Sequence, residues 1–296
     1  MSSSGGQRAT HIVDVLSAEF GASMAIDPAA FRRRLRKMAA SPFAFYRGSA
    51  ALFYADQLGD FADDRFLDER TGRVWIHGDL HAENFGTYMN ASGQLVFNVN
   101  VNVNDFDEAY VGPFTWDLRR LPASVALLGY GKALSDTAIG ELVAGFARSY
   151  LTELRAIAAG GDDAIGSITL DNADGVLRRV LQQARLNTRV DLLAAQTTID
   201  NAADLDWSDV NEPEELTGVL VDLGRAVARM HSVADDESSH DLVDYSTEEA
   251  IVAAVDGDEP GFVNHLVDFA HAYGVRARQD HQLFVDLFRN GRLPGI

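Results

Sequence analysis

A chain of 296 residues, 47% of them hydrophobic, is long enough to bury a sizeable core, so disorder is not its default state. Forty-four acidic against 25 basic residues give a net charge of -19, a surface that repels nucleic acid and anionic lipid unless a local patch overrides it. The lack of cysteine excludes disulfides, thiolate zinc sites and a cysteine nucleophile, and no apolar run approaches the ~20 residues that cross a bilayer.

The acidic residues are spread along the whole chain, and the only lysines are Lys37 and Lys132. That balance reads as adaptation to a salty cytoplasm, a halophilic signature. The opening Met1 to Arg8 lacks the basic-then-apolar order of a signal peptide, so it is expected to be a frayed tail on a cytoplasmic protein. A nucleic-acid or membrane partner is not expected, and the acidic surface favours a cationic or neutral small-molecule substrate.

Residues 9–39 read as two helices. Ile12, Val13, Leu16 and Phe20 fall at helical spacing, Asp27-Pro28 supplies a cap and first turn, and Phe31, Leu35 and Met38 continue the apolar stripe. The second helix carries Arg32-Arg-Arg-Leu-Arg-Lys37, a run that is usually a solvated face but also suits a phosphate or an acidic patch. Ser41-Pro42 breaks it. A further helix runs to about Leu58, Val74 to Ile76 reads as a short buried strand, and Leu95 to Val103 as an alternating one. Beyond Trp116 the periodicity is helical over 116–131, 136–158, 174–196, 213–233, 246–255 and 260–290. The iterated Asn98-Val-Asn-Val-Asn-Val-Asn104 looks like a four-residue duplication. An even shift keeps strand facing, but it displaces Asp105 by up to ~13 Å unless a hairpin tip absorbs it.

The chemistry is concentrated in His77-Gly-Asp-Leu-His-Ala-Glu-Asn84 and Asp105-Phe-Asp107. Phosphoryl transfer asks a protein mainly for positioning and charge neutralisation: a carboxylate at the attacking hydroxyl, and oxygen ligands that hold Mg²⁺ against phosphates. Asp79, Asn84 and Asp105 meet those needs in order and spacing. A zinc site on His77, Asp79 and His81 is the rival chemistry, and it would leave Asn84 and Asp105 idle.

His-Gly-Asp-x-His-x-x-Asn followed by Asp-Phe-Asp resembles the catalytic and metal loops of aminoglycoside and choline kinase-type phosphotransferases. Ser41 to Gly48, His77 to Gly86, Asn104 to Ala109 and Gly112 to Ser124 resemble domain-of-unknown-function family 2252, a prokaryotic kinase-like group. Gly224 to His231 and Phe269 to Asp280 are similar too. The resemblance implies a mainly helical α+β fold like the C-terminal lobe of a protein kinase, with a small β-hairpin. Residues 1–25 would be tail and helix, and 26–296 one domain with a catalytic core over 41–131, an acidic link over 191–213 and C-terminal helices over 214–292. It further implies Asp79 as catalytic base, His77 as a loop brace beside it, Asn84 and Asp105 as metal ligands, and Asp117 as a hydrogen-bonding support of the loop. ATP and Mg²⁺ are the implied cofactors. Arg47, beside a Gly48 that lets a ligand approach, and Arg119 are candidates for phosphate binding, with Arg120 or a partner chain as further sources of the missing phosphate clamp.

The chain departs from a working kinase in one respect. It has no Gly-x-Gly-x-x-Gly and no strand lysine, and Gly129-Tyr-Gly-Lys132 sits in a helical stretch. The link from Asp191 to Pro213 is too short for a nucleotide-binding sheet, as though an insert had been lost. Three readings therefore stand open: a phosphotransferase acting on a small-molecule hydroxyl, a degenerate kinase-like binding module, and another metal-dependent activity.

Overall fold

The computed structural model describes residues 3–89, 95–99, 109–160, 168–186, 205–236 and 241–293. The chain is mainly helical with small antiparallel sheets, and its contacts divide into two compact units. Unit 1 comprises 1–65, 122–135 and 268–296; unit 2 comprises 66–121 and 136–267. No helix among the described residues is long and apolar enough to cross a membrane.

Unit 1 is built on α1 (Ser3–Ile26), α2 (Pro28–Met38), α3 (Pro42–Gly48) and α4 (Ala50–Gln57). The Asp27 carboxylate caps α2 by accepting from the amides of Ala29 and Ala30, and Ser41 caps α3 through Ala44, as the Asp-Pro and Ser-Pro pairs indicate. Ile12, Leu16 and Phe20 of α1 bury against Phe31 and Leu35 of α2 and against Phe284. Residues 3–8, expected to be part of a frayed tail, are the first turns of α1, and Arg8 is clamped there. Its guanidinium donates 2.6 Å bonds from Nη1 and Nη2 to Asp56 and reaches Asp280 from Nε at 2.9 Å and from Nη2 at 2.6 Å. Asp56 and Asp280 are both buried, and Tyr273 also donates to Asp56 at 2.8 Å.

Unit 2 holds β1 (Val74–Ile76), β2 (Phe85–Met89), β3 (Leu95–Val99) and β4 (Tyr110–Gly112). β1 pairs antiparallel with β4, Ile76 opposite Tyr110. β2 pairs with β3, Phe85 opposite Val99, and β3 pairs with the two-residue β5 (Ile168–Thr169). β4 and β5 carry too few residues for an alternating pattern to reveal them. The expected strand to Val103 is described only to Val99, so most of the Asn-Val repeat, and Asp105 with it, lies outside the described residues.

Helix α5 (Phe114–Gly131) begins in unit 2 and continues into unit 1 at Pro122, where proline removes one ladder donor. α6 (Asp136–Ala158), α7 (Gly175–Leu186), α8 (Pro213–Ser232) and α9 (Thr247–Val255) belong to unit 2, and α10 (Glu259–Arg289) runs from unit 2 into unit 1. α6 and α8 pack closely because Gly224 has no side chain. A Cβ there would lie 2.5 Å from the Phe146 carbonyl oxygen and 3.0 Å from the Tyr150 amide. Seven residues beyond Gly224, on the same helix face, is His231.

Candidate active loop

β1 is the platform. Val74 and Ile76 are fully buried, and the chain leaves the strand directly into His77. Gly78 adopts φ +86°, a left-handed turn that a side chain would strain. Two buried bonds fix the turn: the His77 amide donates to Asp117 Oδ2 at 2.7 Å and the Gly78 amide to Asp117 Oδ1 at 3.1 Å. Asp117 stands in the first turn of α5, where a carboxylate is also favoured by the helix dipole. This is the loop support that the Trp116-Asp-Leu motif implied. His77 itself is wholly buried, and its bond to Asp117 runs through its backbone amide.

Asp117 is held in turn. His231 Nε2 lies 3.4 Å from its Oδ2, and the Tyr150 hydroxyl lies 2.8 Å from His231 Nδ1. All three side chains are fully buried. Burial and the Asp117 carboxylate hold the Tyr150 phenol well above its usual pKa, so it stays a donor. His231 thus bridges the two, with Nδ1 on the Tyr150 hydroxyl and Nε2 on Asp117.

Asp79 follows the turn and is partly exposed. Its Oδ1 accepts from Arg120 Nε at 2.8 Å and also from Arg120 Nη2, while the Arg120 side chain is fully buried. Among the described residues Oδ2 accepts nothing. The sequence offered Arg119 and Arg120 alike as phosphate clamps and did not anticipate a pairing with Asp79. On a helix the third residue after Asp117 shares its face, so Arg120 is aimed at the loop. Arg119 is turned elsewhere: it is buried, and its Nη2 donates to His265 at 2.9 Å. The Asp117–Arg120 spacing was the available signal.

Downstream the loop braces itself. Asn84 Oδ1 accepts from the His81 amide at 2.6 Å, the Asn84 amide donates to the His81 carbonyl at 3.0 Å, and His81 Nδ1 accepts from the Glu83 amide at 3.2 Å. Asn84 is buried and leads straight into β2. His77, Asp79 and His81 do not gather into a metal-holding cluster, and no such group of His, Asp or Glu occurs among the described residues. The acidic link also contributes. Trp207 Nε1 donates to the Ala82 carbonyl at 2.8 Å, and the Leu205 amide donates to Phe85 at 3.1 Å. Nothing in local sequence marks Trp207 as a loop support, since its partner is 125 residues away.

Arg47 is exposed on α3 in unit 1. The neighbouring Gly48 makes room for packing: a Cβ there would lie 2.6 Å from Cγ of Met38.

With that geometry in hand, comparison with known families is decisive on one point. Residues 26–204 and 200–287 match DUF2252, described as an uncharacterized protein conserved in bacteria. The chain belongs to this family. No curated protein and no solved structure matches it. DUF2252 membership spans both units and includes the whole of the loop from His77 to Asn84 and its supports at Asp117, Arg120, Trp207 and His231.

Proposed function

We propose that the chain is a kinase-like phosphotransferase that moves a phosphoryl group from ATP to a hydroxyl of a small molecule. The observation that supports it best is Asp79, held by buried Arg120 on a loop whose backbone is pinned by Asp117. A catalytic carboxylate needs a fixed position, and here both its backbone and one of its oxygens are fixed. Arg120 takes Oδ1, which leaves Oδ2 for the acceptor hydroxyl and its proton.

Asn84 with Asp105 would hold Mg²⁺. Amide and carboxylate oxygens are the donors that a hard cation takes, and Asn84 Oδ1 keeps a second lone pair beside the one used by His81. When bound, Mg²⁺ supplies neutralisation of the phosphate charge that builds up during transfer. The kinase-like fold belongs to the same proposal.

A second reading, a binding module without turnover, is favoured by the missing glycine-rich loop and lysine, and by the use of Arg120 to neutralise Asp79 instead of a phosphate. Calorimetric titration with ATP, with and without Mg²⁺, separates the two. Metal-dependent binding is expected for the chain and for Asp79→Asn, and its loss for Asp105→Ala; an acceptor screen should then show turnover only in the unsubstituted chain. No ATP binding by a chain shown to be folded would end the phosphotransferase reading.

A further inference from the structure

Charge is divided unequally along the chain. Unit 2 contains 34 acidic and 12 basic residues, a net -22, whereas unit 1 contains 10 acidic and 13 basic, a net +3. Five of those 13 stand within six positions of α2: Arg32, Arg33, Arg34, Arg36 and Lys37, all exposed. Among the described residues none of the five is paired with a carboxylate; Arg34 instead lies 4.4 Å over the Phe20 ring. Arg32 with Arg36, and Arg33 with Lys37, are like charges one turn apart, an arrangement that weakens a helix. In a chain with 44 carboxylates to choose from, this uncompensated row asks for an anionic partner.

Shape selects among anions. Phe31, Leu35 and Met38 are buried, so the apolar stripe is committed to the core and cannot enter a bilayer. At about 100° per residue, the five cations cover an arc of about 200° on the opposite side. A flat membrane or flat acidic protein face meets only part of such an arc. A concave partner with two anionic walls meets all of it, and the major groove of B-form DNA, about 12 Å wide, admits a helix in this way. The deep, narrow major groove of A-form RNA does not. Helices that dock in the groove likewise keep one face packed on their own domain.

We infer that α2 is a docking face for duplex DNA, gripping the phosphate backbone without reading sequence. The general repulsion expected from a net charge of -19 is overridden here by a local patch, since charge is felt over only about 8 Å at physiological ionic strength. The inference is independent of the phosphotransferase reading and of the His77 to Asn84 loop.

The test is fluorescence anisotropy with a labelled mixed-sequence duplex of about 20 base pairs, titrated with the full chain between about 0.05 and 0.3 M salt. With five contacts the slope of log K against log salt is expected near -4.5, at about -0.9 per phosphate neutralised. In R32Q/R33Q/R36Q/K37Q the slope should shrink by about 3.6 and low-salt affinity should fall at least tenfold. All four positions are exposed, and circular dichroism with thermal unfolding checks that the variant is folded. Lack of duplex binding at the lowest salt, or an unchanged slope in the folded variant, would overturn the inference. So would equal or tighter binding to anionic vesicles, polyglutamate or duplex RNA.

Discussion

Removing the Asp117 carboxylate should loosen the loop from His77 to Asn84 before it unfolds anything else. In Asp117→Ala the amides of His77 and Gly78 lose their acceptor in a site with no solvent access, and His231 loses the partner of its Nε2. An orphaned buried donor costs about 1–3 kcal/mol, so the two amides together cost about 2–6 kcal/mol. Set against a typical total of about 5–15 kcal/mol, that is a large fraction of stability. Asp117→Asn should cost about half as much, since its amide oxygen still serves one donor while its NH₂ group confronts the other. Urea unfolding should show a lower midpoint with an unchanged slope, and hydrogen exchange should show lost protection at His77 and Gly78. A cost below about 1 kcal/mol in Asp117→Ala, with loop protection intact, would refute the idea that this carboxylate holds the loop.

Arg8→Ala leaves Asp56 and Asp280 buried with an uncompensated charge, a loss of about 3–5 kcal/mol that differential scanning calorimetry should register as a lower melting temperature. Glu248 is pushed up to about 7 by burial and by the adjoining Asp235 carboxyl. The folded state therefore binds its proton more tightly than the unfolded chain does. The stability it contributes is complete below about pH 4.5 and is lost as pH rises toward 7, and Glu248→Gln should flatten that fall in the melting temperature. Gly224→Ala sets a methyl 2.5 Å from the Phe146 carbonyl oxygen, so α6 and α8 must separate; a loss of about 1–3 kcal/mol is expected by urea titration, and an unchanged midpoint would show that the pair is not tightly packed.

What local sequence could determine, it did. Asp27-Pro28 and Ser41-Pro42 set helix starts because a cap and a fixed φ act within one turn. Ile12, Leu16, Phe31 and Leu35 declared their buried faces through spacing alone. The support of the His77 loop by Asp117 was legible through the family resemblance of the Trp116-Asp-Leu segment. Tertiary structure decided the rest. Arg8 looked like a tail residue until α1 placed it between Asp56 and Asp280, 48 and 272 positions away. The pairing of Arg120 with Asp79, the His231–Tyr150 support behind Asp117, and the bond from Trp207 to Ala82 depend on helices and loops meeting across long stretches of chain. Composition and periodicity describe which face a residue occupies. Only packing determines which other face it meets.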